Sequence, residues 1–187
     1  AAVLVVNIGT VCERKGQHTF LQAATLLRDE LLRLCPGRGV RFVVVGARPG
    51  LYLDALRQEA ALTGLDLVDF VPETPDIHDF YRLADVFVCT SFEESFPRVI
   101  LESAGYRLHI VTTNVNGIGE MLTDEDAWLV PPGDRHQLAA ALRSALAAWQ
   151  AGDRTRPTRA RAAIERRYAA TAALPLHAAL ARAVINV

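Results

Sequence analysis

Short apolar runs alternate along the chain with longer stretches in which apolar residues recur every three or four positions. Runs such as VLVVNI, FVVV and VFVCT are too short for helices and rich in β-branched residues, the pattern of strands buried on both faces. They predict strands over 3–8, 42–45, 67–71, 86–90, 109–113 and 127–130. The helical period between them predicts helices over 18–34, 51–63, 75–84, 97–105, 117–122 and 135–150. The first carries Phe20, Ala23, Ala24, Leu27, Leu31 and Leu34 on one face and stops at the CPGRG turn. Thr74 followed by Pro75 reads as an N-cap and first helical residue, and Pro97 as the first residue of a later helix. Strands alternating with helices predict an α/β fold, a Rossmann-like parallel sheet of about six strands flanked by helices.

After residue 150 the texture changes. AGDRTRPTRARAAIERRY holds six arginines between Arg154 and Arg167, is broken by Pro157, and leads into an Ala-rich tail interrupted at Pro175. The expectation is a domain over 1–150 with a helical segment over 151–187 packed on it, its arginines forming a solvated face. Contact of those arginines with a membrane or an acceptor is the alternative. The chain opens on AAVLVVNIGT, already strand-like and without Met or leader, so a further domain is expected upstream.

Composition narrows the function classes. With 187 residues, 51% of them hydrophobic, the chain can bury a sizeable core. Twenty basic against 21 acidic residues give a net charge of −1, which offers no general attraction for nucleic acid or an anionic membrane. Any anion site must be local. Cys12, Cys35 and Cys89 are odd in number and lack metal-site spacing, which fits a reduced, cytoplasmic setting. The acidic Asp124-Glu125-Asp126 falls in a turn after a helix, and no metal site is expected there or among the scattered histidines.

In an open parallel sheet, ligands bind where strands end and helices begin. The loop after the first strand, NIGTVCERKGQH, contains Lys15, the only lysine in the chain, next to Arg14. A compact ammonium in a chain that otherwise uses arginine suggests a need for a point charge. A second loop, SFEESFPRVILES, puts Glu94 before a helix start and Glu102 more than a turn inside it. The free amides and positive dipole end of such a helix suit phosphate, while carboxylates accept from hydroxyls. Together they suit a ligand with both phosphates and polyols, such as a nucleotide sugar. On these residues alone the alternative stays open, that Glu93 and Glu94 only complement the helix dipole and Glu102 only faces solvent.

Glu94 and Glu102 form a Glu-x7-Glu motif. With GTVCERKG, FVVVG, DFVPETPDIHDFYRLADVFVCTSFEESFPRVILES, NVNGIGEML and LVPPGD in this order, the chain resembles the C-terminal, donor-binding half of a GT-B retaining glycosyltransferase of family 4. The resemblance runs from about Val5 to Ala147. It implies that Glu102 binds the ribose hydroxyls and Glu94 the donor sugar, that amides around Ser95, Phe96 and Pro97 lie near sugar and phosphates, and that Lys15 contacts the diphosphate. Gly9 and Thr10 belong by the same resemblance to the donor-binding loop, and Phe70, Val71 and Pro72 to the segment that meets the base. It further implies no required cofactor or metal, a UDP-sugar or GDP-sugar donor with UDP favoured, and a sugar, lipid or small-molecule acceptor held by a missing N-terminal domain.

The chain departs from the family pattern at several positions. Thr10 stands where an arginine is usual, which makes Arg14 its candidate replacement in catalysis beside Lys15 and Glu94. Ser95 and Pro97 replace glycines, and Pro97 removes one amide donor. Arg107 and His109 stand where glycine and proline are common, and Asn116 and Gly119 alter a Gly-Gly-x-Pro-Glu pattern. The rival functions are another GT-B enzyme such as a sugar-nucleotide epimerase, and a non-catalytic domain that only binds the nucleotide sugar. A pyridoxal-phosphate phosphorylase is a weaker rival, since Lys15 is the only lysine available for a Schiff base.

Overall fold

The computed structural model describes residues 2–169. Strands β1 (Val3–Ile8), β2 (Val40–Ala47), β3 (Val68–Pro72), β4 (Val86–Cys89), β5 (His109–Thr113) and β6 (Trp128–Val130) form one parallel sheet in the order β3-β2-β1-β4-β5-β6. Around it lie α1 (Gln17–Leu27), α2 (Leu31–Leu34), α3 (Leu51–Leu62), α4 (Ile77–Leu83), α5 (Arg98–Gly105), α6 (Ile118–Met121), α7 (Arg135–Gln150) and α8 (Thr155–Tyr168). The period of two along each strand sorts the apolar side chains into two cores. Val5, Phe42, Val44 and Val88 meet Phe20 of α1, Leu53 of α3 and Leu142 of α7 on one face. Val6, Val43 and Phe87 meet Tyr81 of α4, Ile100 of α5, Ile118 of α6 and Ala160 of α8 on the other. Burial of both faces is why these strands read as unbroken hydrophobic runs.

Four local expectations are corrected. The first predicted helix is interrupted by a 3₁₀ turn at Arg28–Glu30, where the charged triplet turns outward. There Arg28 donates to the Thr63 carbonyl (2.7 Å) and Glu30 takes a two-pronged bond from Arg143 of α7 (2.8 and 2.9 Å). The helix expected from Pro75 begins at Ile77, because Thr74 Oγ1 accepts from the Asp76 amide (3.1 Å) and spends its capping capacity in a turn just ahead of it. Pro97 is the N-cap of α5, in an extended conformation, so the helix proper starts at Arg98. Pro157 does not break α8, because it lies in the first turn, where a missing amide costs nothing. Pro175 and the Ala-rich tail lie outside the described residues.

The departures at Arg107 and Asn116 have a visible conformation. Among the described residues these are the non-glycine positions with positive φ, +55° and +39°. Both stand where the family pattern has glycine. Arg107 follows α5 in a left-handed cap in which the Leu108 amide donates to the Ser103 carbonyl (3.1 Å).

His109, the other departure, starts β5 with both ring nitrogens buried and without a hydrogen-bond partner among the described residues. Burial, aided by the positive charge of Arg154, lowers its pKa from 6.5 to about 4. Between these values the unfolded chain binds the proton and the folded chain does not. Stability is therefore full above about pH 6.5 and is lost as pH falls towards 4. Thermal melts at pH 5 should fall several degrees below those at pH 7.5, and His109→Leu should remove much of that difference.

Candidate donor-binding site

The sheet order changes direction between β1 and its parallel neighbour β4, the switch point at which open α/β sheets leave a crevice. A cleft of about 680 Å³ lies there, over the carboxyl ends of β1 to β4. The loop after β1 contributes Gly9, Thr10, Arg14 and Lys15. The loop after β4 and the start of α5 contribute Glu94, Phe96, Pro97, Arg98, Val99 and Glu102. The first amides of an α-helix have no acceptor within it, so the start of α5 presents donors to the cleft.

The two loops are stitched together by hydrogen bonds to main-chain carbonyls. The Phe92 amide donates to the Arg14 carbonyl (2.8 Å), Thr90 Oγ1 to the Lys15 carbonyl (2.9 Å), and Arg14 Nη1 to the Glu93 carbonyl (3.0 Å). Gly16, at φ +64°, permits this: a Cβ there would sit 2.2 Å from the Thr90 carbonyl oxygen. The stitching brings Lys15 Nζ onto Glu94 Oε1 as an ion pair across 79 residues of sequence. Glu94 is only 7% exposed and accepts a further bond from Ser91 Oγ (2.7 Å). Its main-chain carbonyl accepts from the Gly117 amide (3.2 Å), and a Cβ on Gly117 would lie 1.9 Å from the Ser95 oxygen. Only glycine lets the two loops approach this closely.

Glu102 sits one turn into α5, and its Oε2 accepts from the hydroxyl of Tyr81 (2.7 Å), a fully buried residue of α4. Burial first, and then the bond to the Glu102 carboxylate, pushes the Tyr81 hydroxyl far above the ordinary phenol range. It stays a donor at any physiological pH. Tyr81 is stacked on Tyr106 (5.5 Å, 9°), which holds the ring, and with it the carboxylate, in place. Tyr81 has one partner oxygen, and the other oxygen of Glu102 has none among the described residues.

A model for the family described as Glycosyl transferases group 1 matches residues 2–148. The chain belongs to this family. It is 33% identical over 155 residues to a D-inositol 3-phosphate glycosyltransferase of Geodermatophilus obscurus, covering 78% of this chain and 34% of that protein. The chain thus spans about a third of the length of such curated relatives. Its fold matches the C-terminal domain of the group 1 glycosyl transferase LpcC from Francisella tularensis (TM-score 0.76, 24% identity, 89% of this chain and 86% of that one). It also matches Anabaena HepE solved in complex with UDP-glucose (TM-score 0.80, 23% identity, 100% of this chain and 49% of that one). The architecture is that of one half of a GT-B glycosyltransferase, a nucleotide-sugar-binding fold.

In this group 1 domain the cleft gathers most of the residues singled out from sequence: Gly9, Thr10, Arg14, Lys15, Glu94, Phe96, Pro97 and Glu102. Three others are not part of its lining. Ser95 turns its carbonyl to Gly117, Val71 packs into the core, and Pro72 closes β3 opposite Ala47. The next residues, Glu73 and Thr74, with Ile77 of α4, line the cleft instead. Glu73 pairs with Arg48 (2.6 Å) and accepts from Thr10 Oγ1 (3.5 Å), so Thr10 turns towards a carboxylate while Arg14 is tied to the β4 loop. Sequence reasoning passed over Glu73, although its place just beyond a strand end was a signal; nothing in the sequence pointed to Tyr81 as the partner of Glu102. Asp126 caps a turn by accepting from the Thr123 amide (3.0 Å) and hydroxyl (2.8 Å), while Glu125 pairs with Arg159. Among the described residues no group of three or more His, Cys, Asp or Glu is placed to hold a metal ion, and no helix is long and apolar enough to cross a membrane.

Proposed function

We propose that the chain is the donor-binding half of a retaining glycosyltransferase that moves a sugar from a nucleoside diphosphate to an acceptor hydroxyl without a metal. The binding domain runs to about residue 150 and α8 is its helical extension, with the acceptor held by another domain of the protein. The observation that carries this reading is the meeting of Lys15 and Glu94 in the lining of a cleft to which the first turns of α5 contribute Glu102. An ammonium has three donors, so its contact with Glu94 leaves two for phosphate oxygens. As the glycosidic bond breaks, negative charge grows on the diphosphate, and Lys15, Arg14 and the amides of α5 stabilise it there. Glu94 accepts from the sugar hydroxyls and Glu102 from the ribose. A UDP-sugar is the favoured donor, in line with the UDP-glucose held by HepE, and a GDP-sugar is the second candidate. The free thiols of Cys12, Cys35 and Cys89 fit a reducing, cytoplasmic setting.

Product analysis of the whole protein tests this. Proton NMR should show the donor's anomeric configuration kept in the product, with a rate unchanged by a chelator; an inverted product or chelator-sensitive transfer contradicts it. The orientation of Glu102 gives a second check. Tyr81→Phe removes one hydrogen bond to a carboxylate without opening a cavity, so nucleotide affinity should fall about threefold to tenfold, measured by calorimetry.

A further inference from the structure

Helix α8, the arginine-rich segment, runs along α5 in the opposite direction. Near its start Arg154 donates to the Arg107 carbonyl (3.2 Å) and, two turns on, Arg161 donates to the Gly105 carbonyl (3.4 Å), both at the carbonyl end of α5. At its end Arg167 donates to the Glu120 and Met121 carbonyls, where α6 finishes. These arginines are exposed to solvent at their rims, yet they grip the negative dipole ends of two helices whose opposite ends meet the Glu94 to Pro97 loop. The last aromatic residue of α8, Tyr168, then reaches that loop itself. Its ring meets Phe96 edge to face, with centroids 5.1 Å apart at 73°. Phe96 is a cleft wall that is 48% exposed, and Tyr168 packs against it as its aromatic neighbour among the described residues.

We propose that Tyr168 is a positioning residue for Phe96, so that α8 fixes the donor loop and sets donor affinity. The proposal rests on the donor-binding reading of the cleft. Without the Tyr168 ring, the loop has to be ordered during binding, which costs affinity. Edge-to-face aromatic pairs predict a rise in the dissociation constant of the nucleotide sugar of about threefold to tenfold for Tyr168→Ala. Tyr168→Phe keeps the ring and should restore binding to within about twofold.

Two measurements on this chain test this. The first is amide hydrogen exchange without nucleotide, in which Tyr168→Ala should speed exchange at Phe96 and Arg98 while Tyr168→Phe should not. The second is calorimetric titration with UDP-glucose and GDP-mannose of both variants and of Ala163→Gly, which loosens α8 at a buried position away from Phe96. Ala163→Gly should lower the melting temperature and leave affinity alone. If Tyr168→Ala does not fold, Tyr168→Leu takes its place, since it fills the site without a ring. Unchanged loop exchange in a folded ring-less variant overturns the proposal, as does failure of Tyr168→Phe to rescue or an equal loss of affinity in Ala163→Gly. A wild-type chain that binds neither nucleotide sugar overturns the donor reading instead, and the exchange result then still decides whether Tyr168 orders the loop.

Discussion

Lys15→Ala is expected to lower kcat of the whole enzyme by roughly 10²–10³, the scale of deleting one preorganised electrostatic donor. The attraction between the ammonium and the diphosphate grows as the bond to the sugar breaks, so turnover should suffer more than donor binding. The ion pair with Glu94 adds a second consequence. Removing the ammonium leaves a carboxylate that is 7% exposed with Ser91 as its remaining side-chain partner, at a cost of about 2 kcal/mol in folding stability. The double variant Lys15→Ala/Glu94→Gln removes the unpaired charge, so it should regain much of the lost melting temperature and none of the lost turnover. Lys15→Arg should rescue only in part, because the broader guanidinium does not fit a loop pressed against Thr90 at Gly16. Steady-state kinetics and thermal melts on the three variants separate the charge's catalytic role from its structural one; near-normal kcat in a folded Lys15→Ala enzyme would assign the lysine to structure alone.

Glu102→Ala should raise the dissociation constant for a nucleoside diphosphate about tenfold to hundredfold, the equivalent of roughly 1.5–3 kcal/mol for hydrogen bonds to a charged group. The same change strands the buried Tyr81 hydroxyl, so a fall in melting temperature accompanies it. Tyr81→Phe/Glu102→Ala removes that unpaired hydroxyl and should recover stability while affinity stays low. Calorimetry with UDP, GDP and ADP is the measurement. Glu94→Ala is the contrast: its carboxylate is assigned to the sugar, so nucleoside diphosphate affinity should change less than in Glu102→Ala, and only through the Lys15 ammonium that loses its partner.

Much of this architecture was legible before any coordinates. The apolar runs located all six strands because a doubly covered parallel strand has no polar face to blur its edges. The helix starts were less legible. Thr74-Pro75 and Pro97 carry the residue types of helix starts, but each lies in the turn before its helix, and that choice depends on backbone conformation rather than residue type. Arg107 and Asn116 were readable only by comparison with a glycine pattern, since neither residue type signals positive φ as glycine does. The pairing of Lys15 with Glu94 was foreshadowed by their separate roles, but the contact itself needs the Gly16 and Thr90 packing to be seen. Glu73 and Tyr81 show the same limit, because side chains from separate loops and helices converge only once the sheet order is known.

Calorimetric titration of the domain with a panel of UDP-sugars, GDP-sugars and their free nucleoside diphosphates tests the central claim most directly. One molecule of a nucleotide sugar should bind per chain in competition with its nucleoside diphosphate, and Glu102→Ala should weaken both. Absence of binding across the panel, or binding that Glu102→Ala leaves untouched, would contradict the assignment of this cleft to a nucleotide-sugar donor.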